Sequence, residues 1–196
     1  MAAHRDEPAG TVAMVPWTND IRRYGAVAML LHWGMAILLA GLLILGLYMV
    51  ALPDAGYDRR KITLILVHKA VGMLALGLVL VRAAWRTANP LPAFAAGLPG
   101  WQQVAARVVH LCFYALMLAL PLTGWLMSSA GGYPVPVFEW FNAPDLIATD
   151  EHLFRALIAL HRWLAYALVV LLALHAGAAL WHHFARRDDT LRKMLP

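Results

Sequence analysis

Four long apolar segments divide the sequence, and they limit the possible folds more than any other feature does. They cover about residues 26 to 51, 62 to 81, 108 to 127 and 157 to 184. Each is close to the ~20 residues with which an α-helix crosses ~30 Å of hydrocarbon. A span in lipid must also satisfy its own backbone hydrogen bonds, which a helix does. The sequence therefore predicts an all-α integral membrane protein, built as a bundle of four transmembrane helices.

The composition agrees with a membrane protein and argues against other classes. Hydrophobic residues make up 62% of the 196 residues and charged residues only 14%, whereas a soluble domain is roughly half apolar and a quarter charged. The net charge is +5, but most basic residues flank the apolar segments, which indicates membrane topology and not nucleic-acid binding. The single cysteine, Cys112, excludes an intramolecular disulfide.

The charged residues also predict the orientation in the membrane. Residues 1 to 21 are polar and lack the apolar core of a signal peptide, so we expect a disordered cytoplasmic leader before a single domain of residues 22 to 196. Ten Lys and Arg residues fall on the side of the two termini and six on the other side. The positive-inside rule then places both termini in the cytoplasm.

Two histidines in the last apolar segment lie on one face of the predicted helix. His161 and His175 are fourteen residues apart, which corresponds to ~21 Å of rise at ~1.5 Å per residue and to nearly four full turns. Both side chains therefore point to almost the same side of the helix. One helix thus presents an imidazole near each membrane surface.

Each of these histidines has a partner at the same predicted depth on another helix. Because the helices alternate in direction, His32 lies near the inner surface with His175, and His68 lies near the outer surface with His161. A bare metal ion usually has three or four ligands, whereas two facing imidazoles suit the axial positions of a heme iron. Polar side chains that only fill helix contacts are the alternative, and they explain four depth-matched histidines less well. We therefore predict two b-type hemes.

Small residues lie one helical turn beyond each of the four histidines, as a flat macrocycle against a helix requires. They are Ala36, Gly72, Ala165 and Ala179. The other histidines near the membrane surfaces, for example His110 and His182, are followed at this spacing by larger side chains.

Several stretches of the sequence resemble the bacterial cytochrome b561 family: RYGAVAMLLHWGMAILL, ILVHKAVGML, NPLPAF, ALPLTGWLMSSAGGYPVPVF, LHRWLAYALVVLLALHAGAALWHHF and DDTLRKMLP. The resemblance covers about residues 22 to 196. It implies a di-heme protein of the bacterial inner membrane that transfers electrons. In the superoxide oxidases of this family, the electrons pass from superoxide to ubiquinone. It also implies that His32 and His175 bind the inner heme and that His68 and His161 bind the outer heme.

The resemblance further implies a ubiquinone site near the inner surface, with His182 and His110 close to it. The family pattern has lysines in the connection before the third helix, whereas this chain reads ANPLPAFAAGLPGWQQ. We therefore expect either that Arg86 or Arg107 takes the place of a lysine beside the quinone, or that the electron acceptor is a different one. At the outer surface, Lys69 and Arg162 directly follow the histidines and are expected to attract the superoxide anion.

Two other classes of function remain open from the sequence. The chain is also similar to the cytochrome b subunits that pass electrons from a partner dehydrogenase or hydrogenase to quinone, and in that case the connection of residues 130 to 152 is the expected docking surface. A transporter or structural protein without heme is the third class. Besides the bilayer, the expected partners are a quinone, superoxide, and either a redox partner protein or further copies of the chain.

Overall fold

The computed structural model describes residues 15 to 53, 58 to 138 and 140 to 195. It contains four long helices: α1 (Ala26–Ala51), α2 (Arg59–Ala88), α3 (Gly100–Ala130) and α4 (Glu151–Trp181). All four are long and apolar enough to cross a membrane. The prediction of an all-α integral membrane protein with four spans is confirmed.

The helix ends differ from the predicted ones for a simple reason. The predicted bounds of the first helix, 26 to 51, are confirmed, but α2, α3 and α4 extend beyond the predicted 62 to 81, 108 to 127 and 157 to 184 at one end or both. The added turns are polar. Asp58 caps α2 by accepting a hydrogen bond from the Arg60 backbone N–H at 2.8 Å, and Asp150 caps α4 by accepting one from the Leu153 N–H at 2.9 Å. Hydropathy detects only the part of a helix that lies in hydrocarbon.

The helices pack in sequence order, and α4 stands apart from the first two. Helix α1 packs on α2, α2 on α3, and α3 on α4, whereas α4 approaches α1 and α2 much less closely over the described residues. The core of the first three helices contains Met35, Val79 and Met117, one residue from each helix. The space between α4 and the α1–α2 pair is thus not closed by helix packing.

A short hairpin, where no strand was predicted, covers the end of the bundle that the charge pattern predicts to face outward. This end is called outer below, and the opposite end is called inner. Strands β1 (Val135–Val137) and β2 (Phe141–Ala143) are antiparallel, and β1 packs against α2. The hairpin belongs to the connection between α3 and α4. The indole N–H of Trp125 on α3 donates to the carbonyl of Pro144 at 2.9 Å and so fixes this connection to the bundle.

Residues 15 to 25 meet residues 193 to 195 at the inner end of the bundle. The buried side chain of Asn19 donates to the Pro90 carbonyl and accepts from the Gly25 N–H, both at 3.0 Å. The indole N–H of Trp33 donates to the Met194 carbonyl at 2.8 Å. Because Asn19 supplies both a donor and an acceptor, residues 15 to 21 are bound to the bundle. The predicted disorder is therefore wrong for this part of the leader. Residues 1 to 14 lie outside the described residues.

Candidate functional site

The structure brings the four predicted histidines together as two facing pairs. The ring centres of His32 and His175 are 6.2 Å apart, and those of His68 and His161 are 6.3 Å apart. A ring nitrogen lies about 2 Å from a metal it binds and about 1 Å from its own ring centre, so two imidazoles on opposite sides of one metal ion have ring centres about 6 Å apart. Both pairs fit this separation. Each spans the gap between α4 and another helix.

The surroundings of the outer pair leave space on one side and support the rings on the other. A side-chain carbon added at Gly72, one turn beyond His68, would meet no atom within 4 Å. In contrast, carbons added at Gly46 and Gly124 would lie 3.4 and 3.5 Å from the Cε1 atoms of His68 and His161. The two rings therefore rest against glycines of neighbouring helices, while the surface beside His68 is open for a flat group.

The hydrogen bond of His161 sets which ring nitrogen is free. The hydroxyl group of Thr123 donates to the Leu120 carbonyl at 2.9 Å, and its oxygen lies 3.1 Å from Nδ1 of His161. The arrangement that satisfies both contacts has Nδ1–H of His161 donating to Thr123, so that Nε2 keeps a lone pair. Metal-binding histidines are commonly oriented in this way.

The inner pair has a third histidine beside it. The ring centre of His110 is 5.6 Å from that of His175. Nδ1 of His110 lies 2.6 Å from the Ala106 carbonyl and must donate to it, which leaves Nε2 free. Nδ1 of His32 lies 3.0 Å from Nη2 of Arg82, and since arginine only donates, a neutral His32 in this contact has its proton on Nε2.

Helix spacing decides between the two inner pairings. His110 lies on α3, which packs directly on α4, whereas His32 lies on α1, which stands away from α4. A macrocycle between two imidazoles needs the wider gap. The wider gap therefore favours His32 over His110 as the partner of His175 for a flat group, and a neutral His32 would offer Nε2 to that group only with its proton on Nδ1.

A small cavity lies beside the inner pair, at the inner ends of the helices. Its volume is about 30 Å³. It is lined by two of the residues predicted for a quinone site, His110 and Arg86, and also by Arg82, Trp85 and Tyr24. Burial raises the pKa of the Tyr24 hydroxyl, and the nearby Arg86 and Arg82 oppose this shift. Arg107 does not line the cavity; its guanidinium group lies 5.5 Å from the ring centre of Phe94.

His182, the third residue predicted for the quinone, lies in a separate cluster. Its Nδ1 is 2.6 Å from the carboxylate of Asp188, and Nε of Arg186 is 3.5 Å from the same oxygen. A single π-helical turn, His182–Arg186, and the left-handed backbone of Arg187 (φ 56°, ψ 34°) return the chain so that Asp188 meets His182. Burial acts to raise the pKa of Asp188, but hydrogen bonds from Thr190 and His182 lower it to about 2.

The two outer basic residues have different surroundings. The ammonium group of Lys69 donates to the Pro134 carbonyl at 3.0 Å and lies 5.6 Å from the ring centre of Tyr133. Arg162 is exposed. Both follow an outer histidine directly in the chain, so both lie at the outer end of the bundle.

Comparison with known proteins identifies the family of the chain. The family model for prokaryotic cytochrome b561 matches residues 23 to 196. The chain belongs to the prokaryotic cytochrome b561 family. It is 38% identical to cytochrome b561 homolog 2 of Escherichia coli strain K12 over 181 residues, which cover 91% of this chain and 94% of the relative. It is also 35% identical to cytochrome b561 homolog 1 of the same organism over 50% of this chain and 55% of the relative.

A more distant relative carries a more specific name. The probable superoxide oxidase CybB of Yersinia pestis is 29% identical over 67% of this chain and 74% of the relative. The family resemblance predicted from the sequence is thus confirmed. This cytochrome b561 is a multi-pass membrane protein that binds b-type heme and transfers electrons across the membrane.

Both pairs fit a heme by their ring separation, and the outer pair also fits it by the open surface at Gly72 and by the free Nε2 of His161. The sequence analysis did not identify Thr123, which orients His161, or Asp188, which orients His182. A signal for Asp188 was present, since the DDTLRKMLP ending places two aspartates shortly after the histidines. Nothing in the sequence connected Thr123 to His161, because they lie on different helices.

Proposed function

We propose that this cytochrome b561 holds two b-type hemes, one between His32 and His175 and one between His68 and His161. The observation that carries the proposal is the nearly equal ring separation of the two pairs, 6.2 and 6.3 Å. When bound, each heme supplies an iron that accepts and releases one electron at a time. Helix α4 contributes one ligand to each site, so the two sites lie along one helix from the outer to the inner surface.

We propose superoxide as the electron donor at the outer, periplasmic surface of the inner membrane, with both termini in the cytoplasm. The name of the Yersinia pestis relative and the basic side chains of Lys69 and Arg162 support this donor. Positive charge near a site raises the local concentration of an anion and its association rate. Each superoxide gives up one electron and leaves as dioxygen.

We propose ubiquinone as the acceptor near the inner surface. Two electrons from two superoxide anions and two protons from the cytoplasm convert one ubiquinone to ubiquinol, so the reaction balances. His182 is suited to donate a hydrogen bond to a quinone carbonyl and to pass on a proton, because imidazole changes charge near neutral pH and Asp188 fixes its other nitrogen. The cavity of His110 and Arg86, at about 30 Å³, must widen before these two residues could also contact a quinone ring.

A second candidate is favoured by one specific feature, the exposed aromatic side chains at the outer end. Trp140 is 79% exposed, and Phe141 and Tyr133 are more than half exposed. They lie in or beside the hairpin, within the connection that the sequence analysis identified as a docking surface. Such a surface suits a partner dehydrogenase or hydrogenase that donates electrons in place of superoxide.

Stopped-flow mixing of the oxidised, purified protein with superoxide tests the proposed donor. We expect the heme absorption to change to the reduced form, and superoxide dismutase added beforehand should suppress the change. Heme that stays oxidised with superoxide, but is reduced by a large protein that co-purifies in stoichiometric amount under mild detergent, would replace the first candidate by the second.

Heme content tests the cofactor assignment separately. A pyridine hemochrome assay on the purified protein should give two b-type hemes per chain. His68→Ala and His175→Ala should each leave one heme, because each substitution removes one ligand of one pair. A wild-type protein with a single heme would contradict the two-site assignment.

A further inference from the structure

Two arginines of α2 face the inner cavity, and the described residues include no acidic partner for them. Arg82 and Arg86 are one helical turn apart and both line the cavity, as does Trp85 between them. Among the residues that the structure describes, the carboxylates within ion-pairing distance of a cation are those of Glu151, Asp188 and Asp189, and none of them pairs with these two arginines. The indole nitrogen of Trp85 is buried and has no hydrogen-bond partner.

These three side chains form a set of donors without an anionic acceptor among the described residues. Arginine and the tryptophan indole only donate hydrogen bonds. Both guanidinium groups are partly buried, where a cation without an anionic partner is unfavourable, and a buried donor without a partner is unfavourable as well. The present partners of the arginines are neutral: Arg82 donates to His32, and Arg86 hydrogen-bonds the Tyr24 hydroxyl and lies 5.7 Å from the ring centre of Tyr114. The set therefore suits an anionic oxygen ligand.

The size of the cavity selects among such ligands. A cavity needs ~10–15 Å³ of internal space to hold one water molecule. This cavity of about 30 Å³ therefore has room for roughly two. That space accommodates the two oxygens of a carboxylate, whereas it is too small for an aromatic ring. Two arginines also match a carboxylate in geometry, since their N–H groups bind its two oxygens in parallel.

We propose that Arg82, Arg86 and Trp85, here named the arginine cluster, bind the carboxylate side arms of the heme held by His32 and His175. This inference rests on the inner heme of the proposed function. The 3.0 Å contact between Arg82 and Nδ1 of His32 places the cluster directly beside that site. When Arg82 turns from His32 to a carboxylate, it also releases Nδ1 and lets His32 offer Nε2 as a ligand. The same side-chain movement therefore pairs the positive charge of Arg82 with a carboxylate and frees His32 to bind the heme iron.

Reconstitution with an altered cofactor tests the proposal. The background is His68→Ala, which leaves only the inner site, and the protein is produced without heme and titrated in detergent with heme b or with its dimethyl ester, which has no free carboxylate. The wild-type cluster should bind heme b about tenfold or more tightly than the ester, the effect of one to two charge-assisted hydrogen bonds. The variant carrying Arg82→Gln and Arg86→Gln should bind both with the same affinity.

Arg22→Gln is the matched control, because it removes one exposed positive charge near the same end of the bundle and should leave the preference for heme b unchanged. Equal affinity for heme b and the ester with the native cluster would overturn the proposal, and this comparison needs no cluster variant. A preference that persists in the double variant would also overturn it. If neither compound produces a low-spin heme spectrum in the His68→Ala background, the inner heme itself is absent and the proposed function fails instead.

A free anion is the other source of the same chemistry. Inorganic phosphate or vesicles containing an anionic phospholipid should not raise the thermal stability of the heme-free protein. Stabilisation by either, if lost in the double variant and accompanied by equal binding of heme b and the ester, would assign the cluster to a free phosphate or a lipid headgroup and overturn the proposal.

Discussion

Nδ1 of His161 lies 3.1 Å from the hydroxyl oxygen of Thr123, a residue 38 positions earlier in the chain. The contact joins the ligand helix α4 to α3 at the outer site. Because the Thr123 hydroxyl gives its own proton to the Leu120 carbonyl, it can accept from His161 and fix the orientation of the ring. Such partners of ligating histidines tune both affinity and redox potential.

Thr123→Val tests this contact. The substitution keeps the shape of the side chain but removes the acceptor, so heme affinity at the outer site should fall by about tenfold or more. The reduction potential of that heme should rise, because a histidine that donates a strong hydrogen bond is the more electron-rich ligand and favours ferric iron. Titration of heme into heme-free protein and a potentiometric titration measure the two effects.

Thr123→Ser is the matched control, since serine retains the hydroxyl group and should keep both values close to wild type. A Thr123→Val protein with unchanged heme affinity and potential would show that Thr123 has no part in the outer site.

The choice between His32 and His110 as partner of His175 gives a second prediction. His32→Ala should lower the heme content from two to one per chain, because α1 and α4 enclose the wider gap. His110→Ala should retain two hemes and their low-spin spectra. The opposite result, with heme lost only on substitution of His110, would assign the inner site to α3 and α4.

Much of this arrangement could be predicted from the sequence because it depends on local properties. Hydropathy marks a membrane span, and the rotation of a helix fixes that His161 and His175 share a face. Because the helices alternate in direction, His32 then lies at the depth of His175, and His68 lies at the depth of His161. None of these steps requires knowledge of how two helices pack.

The features that the sequence did not predict depend on contacts between distant segments. The contact of Thr123 with His161 follows from the packing of α3 on α4. The approach of Asp188 to His182 requires a π-helical turn followed by a residue with left-handed backbone. That residue is Arg187 and not a glycine, so the sequence does not indicate the turn. In the sequence, Arg82 is one of the basic residues that flank the apolar segments and indicate topology. Its position beside His32 appears only when α1 and α2 are placed together.

Space beside His68 gives a third prediction. Gly72→Leu should remove the outer heme, because the added side chain fills the surface that is now open within 4 Å of that position. Gly77→Leu is the control: it lies on the same helix, exposed and equally open, but about half a turn away from the face of His68. Heme content and the absorption spectrum distinguish the two. Equal heme content in both variants would contradict the placement of the macrocycle.

The pairing of His182 with Asp188 gives the last prediction, which concerns both stability and turnover. The pKa of Asp188 is lowered from 3.8 to about 2 in the folded protein. A lowered carboxyl pKa stabilises the fold above the unfolded value, and this contribution is lost as the pH falls through 4 towards 2. Asp188→Asn should therefore lower the thermal stability at neutral pH, and its difference from wild type should shrink over that range.

The same substitution separates the two halves of the proposed reaction. Asp188→Asn replaces the carboxylate that orients His182, so quinone reduction should slow, whereas reduction of the hemes by superoxide at the outer end should keep its rate. Asp189→Asn is the control, since the neighbouring carboxylate is exposed and pairs with Lys193 at 3.1 Å, not with His182. Equal slowing by both variants would mean that the C-terminal segment acts only in folding, whereas slowing by Asp188→Asn alone would support proton transfer through His182.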